Sequence, residues 1–143
     1  MPVDALPLFA PAPVIPVLTI ERADDAVPLA RALVAGGLPV LEVTLRTAAA
    51  LDAIAAIVRD VPLATVGAGT VTSPADIAHA LDAGAQFLVS PGTPPRLAAA
   101  FADAGVPILP GCATVSEAMA LADAGFRAVK FFPAEAAGGT GWL

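Results

Sequence analysis

Lys130 is the residue whose type and surroundings most suggest a chemical role. It is the only lysine in the chain, and it lies in the apolar segment "VKFFP" at 129–133. An ammonium group is normally hydrated at the surface. In an apolar cavity, desolvation favours the neutral amine, which can attack a ketone and form a Schiff base. The iminium then withdraws electrons from the adjacent carbon, so that a C–C bond there can be cleaved or made. The segment therefore predicts either a nucleophile or a surface lysine at a strand end.

A second group of polar residues follows an apolar segment earlier in the chain. Glu42, Thr44 and Arg46 are spaced two apart, which places them on one face of a strand. A carboxylate such as Glu42 can carry protons, and Arg46, helped by the Thr70 hydroxyl, can hold a substrate carboxylate. Together with the amine, these groups suit a lyase acting on 2-oxo acids. The alternative is a structural ion pair between Glu42 and Arg46.

Strand-like and helix-like segments alternate along the chain and would position these residues. The strand-to-strand period of about 20–25 residues is that of a β-α unit, which predicts a parallel sheet covered by helices. Leu51, Ile54, Ala55 and Val58 predict the buried stripe of one helix. The predicted strands are 14–20, 38–45, 62–69, 86–92, 106–111 and 128–132. Helix starts are predicted at Ser73, at Thr93–Pro95 and at Ser116, and helix ends at the glycines of 35–37, 84, 105 and 125.

Two α/β architectures fit this alternation, an open doubly wound sheet and a closed barrel. The segment "GAGTVT" at 67–72 lacks the third glycine of the dinucleotide-binding fingerprint. In both architectures, ligands bind at the carboxyl ends of the strands. The candidate residues all fall at or near those ends.

Composition limits the classes of function. Hydrophobic residues make up 57% of the 143 residues and charged residues 14%, which indicates one globular domain over 1–143, with a proline-rich lead-in at 1–12. A net charge of −6 argues against nucleic acid or an anionic membrane as partner. One cysteine, Cys112, excludes an internal disulfide, fits the reducing cytoplasm and is expected to serve packing. No metal-ligand cluster is evident, and no apolar run is long enough to span a membrane.

Five motifs in order resemble the 2-keto-3-deoxy-6-phosphogluconate (KDPG) / 4-hydroxy-2-oxoglutarate (KHG) aldolases, a class I pyruvate-aldolase family. These motifs are "LEVTLRT" (41–47), "VGAGTV" (66–71), "FLVSPG" (87–92), "PGCATVSE" (110–117) and "VKFFPAE" (129–135). The resemblance implies a Schiff-base role for Lys130 and a general acid/base role for Glu42. It implies that Arg46 and Thr70 bind the substrate carboxylate, and that Pro91 and Phe132 line the pyruvate pocket.

The resemblance also implies a fold and a reaction. The fold is a (β/α)8 TIM barrel, of which this chain would supply about six of the eight strands. The reaction is reversible cleavage of a 4-hydroxy-2-oxo acid to pyruvate and an aldehyde, in a cytoplasmic homotrimer with no metal or organic cofactor. The family's two further strands carry phosphate-binding loops, so we expect little turnover from residues 1–143 alone. The alternatives are a barrel enzyme that uses Lys130 as a general base and a catalytically silent barrel fragment that acts only through association with another chain.

Overall fold

The computed structural model describes residues 1–141, in which strands and helices alternate. The strands are β1 (Val17–Leu18), β2 (Val40–Thr44), β3 (Thr65–Gly69), β4 (Leu88–Val89), β5 (Ile108–Leu109), β6 (Gly111–Cys112) and β7 (Lys130–Phe131). The helices are α1 (Ala23–Ala35), α2 (Ala50–Asp60), α3 (Pro74–Asp82), α4 (Pro95–Ala102) and α5 (Val115–Asp123), with 3-10 helices at Leu6–Phe9 and Gly139–Gly141. Each predicted strand is present with narrower bounds. The fifth is interrupted at Pro110, which has no N–H for the ladder, so Gly111–Cys112 forms a separate strand.

All the paired strands run parallel and lie in chain order. One sheet has the order β1-β2-β3-β4-β5, and a second sheet pairs β6 with β7. A doubly wound sheet reverses its strand order at a switch point, whereas a β/α barrel adds each strand beside the preceding one. The observed order is therefore that of the β/α barrel, and the predicted fold class is confirmed.

Both faces of strands β2 to β5 are buried, as expected when helices cover the outside and strands enclose an interior, whereas Val17 of β1 is exposed. Side chains alternate along each strand between an outer and an inner apolar cluster. The outer cluster, packed against the helices, includes Leu41, Val43, Val66, Ala68, Leu88 and Ile108. The inner cluster contains Val40, Phe87, Val89 and Leu109. Glu42 lies two residues after Val40, on the same face of β2, so its carboxylate borders this inner cluster.

The first residues of the chain pack against the inner apolar cluster. Ala5 and Leu8 are buried in the inner cluster, and Val3 forms a parallel bridge with Pro107, just before β5. Asp4 accepts a hydrogen bond from Arg127 at 3.0 Å. The proline-rich lead-in thus packs on the amino-terminal end of the sheet. Trp142 and Leu143, the last residues of the predicted domain, lie outside the described residues.

The sequence signals for helix ends match the structure better than those for helix starts. Positive φ angles at Gly37, Gly84, Gly105 and Gly125 follow four of the helices, as predicted. Ser73 caps α3 as predicted, in a capping box with Asp76.

One predicted helix start needs correction. The α5 start predicted at Ser116 is wrong by two residues, because Thr114 is the N-cap and forms a capping box with Glu117. The α4 start predicted at Thr93–Pro95 is confirmed, since Pro94 occupies the N-cap and the helix begins at Pro95. The Thr93 hydroxyl makes its hydrogen bonds to the sheet.

The buried stripe of α2 also differs from the prediction. Of the predicted residues only Ile54 is fully buried, and Val58 is 38% exposed. The stripe that contacts the core consists of Ala50, Ala53, Ile54 and Ile57. Its alanines allow α2 to approach the sheet and α1 closely. Within residues 1–141, no helix combines the length and apolar character needed to cross a membrane.

Candidate active site

The structure brings Lys130 and Glu42 together although they are 88 residues apart in sequence. Lys130 Nζ donates to Glu42 Oε1 at 3.1 Å and to Oε2 at 3.4 Å. The Glu42 side chain is 5% exposed and that of Lys130 is 26% exposed. The contact therefore joins β2 and β7 across the interior, above the inner apolar cluster, with the amine reaching partly to solvent.

The main chain of β7 is held by β6, which fixes the origin of the lysine side chain. Lys130 pairs with Gly111 in the register, and its N–H donates to the Pro110 carbonyl at 2.9 Å. Phe132 N–H donates to the Cys112 carbonyl at 3.0 Å. Lys130 Nζ also lies 5.3 Å from the centroid of the Phe132 ring, within the range of a cation–π contact. The amine is thus bounded by a carboxylate on one side and an aromatic face on another.

The three polar residues predicted to share one face of β2 have separate roles. Glu42 pairs with Lys130, and Arg46 is exposed beyond the end of the strand. The buried Thr44 hydroxyl donates to the Leu18 carbonyl at 3.1 Å and lies 3.2 Å from Thr19 Oγ1. Thr44 therefore ties β2 to β1. The alternative of a Glu42–Arg46 ion pair is wrong, because the ion-pair partner of Glu42 is Lys130.

Arg46 and Thr70 meet at the carboxyl ends of β2 and β3. Arg46 Nε donates to Thr70 Oγ1 at 3.2 Å, so this hydrogen bond uses one of the five N–H groups of the guanidinium. Thr70 has a φ of 59°, and in the described part of the chain it is the one non-glycine residue with a positive φ. A β-branched residue in this region is strained, and such strain is common at ligand-binding positions. These are the two residues predicted to hold the substrate carboxylate.

A hydrogen-bond network behind Pro91 was not predicted from the sequence. Ser90 is fully buried, and its Oγ accepts from Gly111 N at 3.1 Å and lies 2.8 Å from Thr93 Oγ1. Thr93 in turn donates to the Gly111 carbonyl at 2.9 Å. A side chain at Gly111 would overlap the carbonyl group of Pro91. The network therefore joins the end of β4 to β6, and through β6 it supports Lys130.

Cys112 is buried in the outer cluster, as predicted for a packing residue. Burial, with a smaller contribution from the Glu117 carboxylate, raises the pKa of its thiol above the ordinary value. A thiol held protonated in this way is a poor nucleophile. Over residues 1–141, no group of three or more His, Cys, Asp or Glu side chains has a metal-binding arrangement.

The geometry supports Schiff-base chemistry more directly than any other reaction. A carboxylate in hydrogen-bond contact with an amine can take its proton and return it at a later step. A guanidinium and a hydroxyl at the carboxyl ends of β2 and β3 are groups that can orient an anionic substrate. Pro91 is partly exposed after β4, and Phe132 is 36% exposed after β7.

Comparisons with known proteins agree with this arrangement. The family model of KDPG and KHG aldolases matches residues 8–143. The KHG/KDPG aldolase of Escherichia coli K12 is 54% identical over 127 residues, which is 89% of this chain and 60% of that protein. The 2-dehydro-3-deoxy-phosphogluconate aldolase of Dickeya dadantii gives the same identity and the same coverage. The chain thus spans about 60% of the length of these curated relatives.

Solved structures of aldolases also resemble this chain closely. A KDPG aldolase from Legionella pneumophila, with pyruvate captured as a covalent carbinolamine, has a TM-score of 0.89 and 47% identity, covering 93% of this chain and 65% of that one. The aldolase of Zymomonas mobilis ATCC 29191 has a TM-score of 0.91 and 48% identity, covering 96% of this chain and 66% of that one.

Proposed function

The chain belongs to the KDPG and KHG aldolase family, and from this premise we propose that it has the active site of a class I aldolase. The proposed reaction is cleavage of 2-keto-3-deoxy-6-phosphogluconate to pyruvate and glyceraldehyde 3-phosphate, or of 4-hydroxy-2-oxoglutarate to pyruvate and glyoxylate. The observation that carries this proposal is the 3.1 Å contact between Lys130 Nζ and Glu42 Oε1 above an apolar interior. It supplies an amine nucleophile together with its proton carrier.

The first half of the reaction forms the Schiff base. Glu42 takes a proton from the Lys130 ammonium, and the neutral amine attacks the C2 carbonyl of the substrate to give a carbinolamine. Glu42 then protonates the departing hydroxyl, so that water leaves and the C2–N bond becomes an iminium.

The second half breaks the C3–C4 bond. Glu42 removes the proton of the C4 hydroxyl, the aldehyde leaves, and the bonding electrons move through C3 to the iminium nitrogen, which gives an enamine. Glu42, which now carries the proton from the C4 hydroxyl, protonates the enamine at C3 and so restores the iminium. Water then attacks C2, releases pyruvate and returns Lys130 to the free amine. The iminium is the electron sink in each step.

Arg46 and Thr70 are proposed to hold the C1 carboxylate. Their side chains already share a hydrogen bond at the strand ends, so the fork of Arg46 is oriented before substrate arrives. Pro91 and Phe132 are proposed to line the pocket around the pyruvate carbons.

The test is borohydride reduction in the presence of pyruvate. If Lys130 is the nucleophile, a covalent mass increase should map to Lys130. The other candidate is the N-terminal amine, so peptide mapping is unambiguous. The matched control is Lys130→Arg, which keeps a cation beside Glu42 but cannot form an iminium.

Two outcomes would count against the proposal. Unmodified Lys130 in folded protein that still converts a 2-oxo acid would favour the general-base alternative. Folded protein that neither traps nor converts pyruvate would favour the catalytically silent alternative.

We also propose a cytoplasmic location and a homo-oligomer, with three subunits as the family resemblance implies. The support for the location is a free, buried cysteine thiol, which suits a reducing compartment. Light scattering on the purified protein measures the number of subunits, and a monomer at micromolar concentration would contradict the proposed assembly.

A further inference from the structure

The wall of the interior beside Glu42 is formed by β3, which has no side chains at the two inward-facing positions nearest to Glu42. In β3, Gly67 and Gly69 both face inward, paired in the parallel register with Glu42 and Thr44 of β2. Neither glycine has a positive φ, so an alanine could adopt the backbone conformation at both positions. What distinguishes the two positions is therefore the space that a side chain would need.

That space is occupied differently at the two glycines. A Cβ atom at Gly67 would lie 2.5 Å from atoms of the Phe87 ring, which belongs to the inner apolar cluster. A Cβ atom at Gly69 would overlap Glu42 Oε1 and lie 2.6 Å from its Cγ and 2.7 Å from its Cδ. The carboxylate that contacts Lys130 thus fills the volume that the missing side chain of Gly69 leaves open.

We propose that Gly69 is a positioning residue for Glu42: the absence of its side chain sets the carboxylate within reach of the Lys130 amine. The inference deepens the proposed function and rests on it for the role of Glu42. Any side chain at position 69 would displace the Glu42 carboxylate from the place where it contacts the Lys130 amine at 3.1 Å.

The main chain of Glu42 cannot relieve a conflict with a larger residue at 69. Its strand is held on one side by the hydrogen bond from Glu42 N–H to the Pro16 carbonyl at 2.9 Å, and on the other by β3. The carboxylate is the far end of a flexible side chain, so it moves first. In Gly69→Ala, the strand pairing should persist while the carboxylate leaves Lys130. In Gly67→Ala, the rigid Phe87 ring cannot swing aside, so stability should fall instead.

The first experiment compares Gly69→Ala with Gly67→Ala as its matched control. Borohydride trapping with pyruvate reports on iminium formation at Lys130. Exchange of the pyruvate methyl protons in D2O, followed by NMR, reports on proton transfer at C3. For Gly69→Ala we expect exchange to fall by about a hundredfold relative to trapping, the range typical for loss of a general base. For Gly67→Ala we expect a lower melting temperature and an unchanged ratio of exchange to trapping.

An unchanged ratio in Gly69→Ala would overturn the proposal, since a general loss of structure reduces both rates together. An equal fall of the ratio in both variants would also overturn it, because the effect would then not be specific to the position beside Glu42.

The second experiment needs no substrate and so separates this inference from the proposed function. Thermal unfolding is measured for Gly69→Ala in the wild-type background and in the Glu42→Ala background. Gly69→Ala should lower the melting temperature by less than Gly67→Ala does, and only when Glu42 is present, because Glu42→Ala removes the atoms that the new Cβ meets. An equal effect in both backgrounds would refute the proposal, whether or not the wild-type protein traps pyruvate.

Discussion

Arg46 Nε donates a hydrogen bond to Thr70 Oγ1 at 3.2 Å, and this Thr70 has a φ of 59°. The left-handed conformation costs an L-residue about 1–2 kcal/mol, and most of all a β-branched one. The backbone is thus strained at Thr70, whose hydroxyl contacts Arg46 and is proposed to contact the substrate carboxylate. Stability and ligand binding should therefore respond in opposite directions to substitution of Thr70.

Replacing Thr70 by Gly tests this directly. The change removes the strain and the hydroxyl together, so the free energy of unfolding should rise, by up to about 1 kcal/mol after the entropy of glycine is subtracted. Pyruvate affinity should fall at the same time. Thr70→Ser keeps the hydroxyl and is the matched control, with affinity near that of the wild type. Urea unfolding and the pyruvate dependence of trapping supply the two measurements. Loss of stability in Thr70→Gly would show that the conformation is not strained.

Replacing Arg46 by Leu should weaken pyruvate binding. Hydrogen bonds to charged groups are worth about 1.5–3 kcal/mol, which corresponds to a loss of affinity of about 10- to 150-fold. Because Arg46 is exposed, stability should change by less than about 0.5 kcal/mol. Arg46→Lys keeps the charge without the fork and should bind with intermediate affinity. The pyruvate concentration for half-maximal trapping measures the effect, and wild-type affinity in the Leu variant would remove Arg46 from the binding site.

Replacing Glu42 by Gln preserves the shape of the side chain and removes the proton carrier. Turnover should fall by about a hundredfold or more, while borohydride trapping on Lys130 continues at a lower rate. Steady-state rates of pyruvate release, compared with trapping rates under the same conditions, check this expectation. Turnover equal to that of the wild type would mean that Glu42 is only the structural counter-ion of Lys130.

The capping box of α3 predicts an acid-dependent contribution to stability. Partial burial of Asp76 tends to raise its pKa, but hydrogen bonds from Thr72 and Ser73 outweigh burial and lower that pKa below the ordinary 3.8. The folded state therefore binds fewer protons than the unfolded state. The contribution is present above the unfolded pKa and is lost as the pH falls through the lower folded pKa.

Asp76→Asn should accordingly reduce the free energy of unfolding at pH 7, by about 0.5–2 kcal/mol for a weakened cap. The difference from the wild type should shrink as the pH falls below about 4. Urea unfolding between pH 7 and pH 3 measures this difference in the free energy of unfolding. The control is Asp82→Asn, at an exposed residue of the same helix. A difference that stays constant across this range would show that the carboxylate charge is not what the cap uses.

The sequence was sufficient to predict the strand–helix alternation, the barrel family and the close approach of Lys130 to Glu42. The spacing of hydrophobic residues and the positions of the glycines predict the alternation. The five sequence motifs predict the family and the approach of Lys130 to Glu42. The roles of Arg46, Thr70, Pro91 and Phe132 stay predictions, although the structure places these residues around one end of the sheet.

Other features depend on contacts that no local pattern contains. The Ser90–Thr93 network joins strands whose neighbours are known only once the sheet is assembled, and Gly69 matters because Glu42 lies across from it. The stripe of α2 was misassigned because apolar residues lie on two adjacent helix faces, so periodicity alone cannot select the face that meets the sheet. In an alanine-rich helix, the pattern of apolar residues does not identify which face packs against the core.

The contacts of the first residues with the far end of the chain have a consequence for how the molecule folds. Val3 meets Pro107, Asp4 meets Arg127, and Glu42 meets Lys130, so the contacts that close the interior have large sequence separations. Contacts of this kind slow folding, because a long loop must lose its conformational entropy before they form. On the ribosome, strands β1 and β2 can pair early, but the amino-terminal segment must wait for Pro107 and Arg127, which are translated much later. A nascent chain would then hold the carboxylate of Glu42 long before the amine of Lys130, which lies 88 residues later in the sequence.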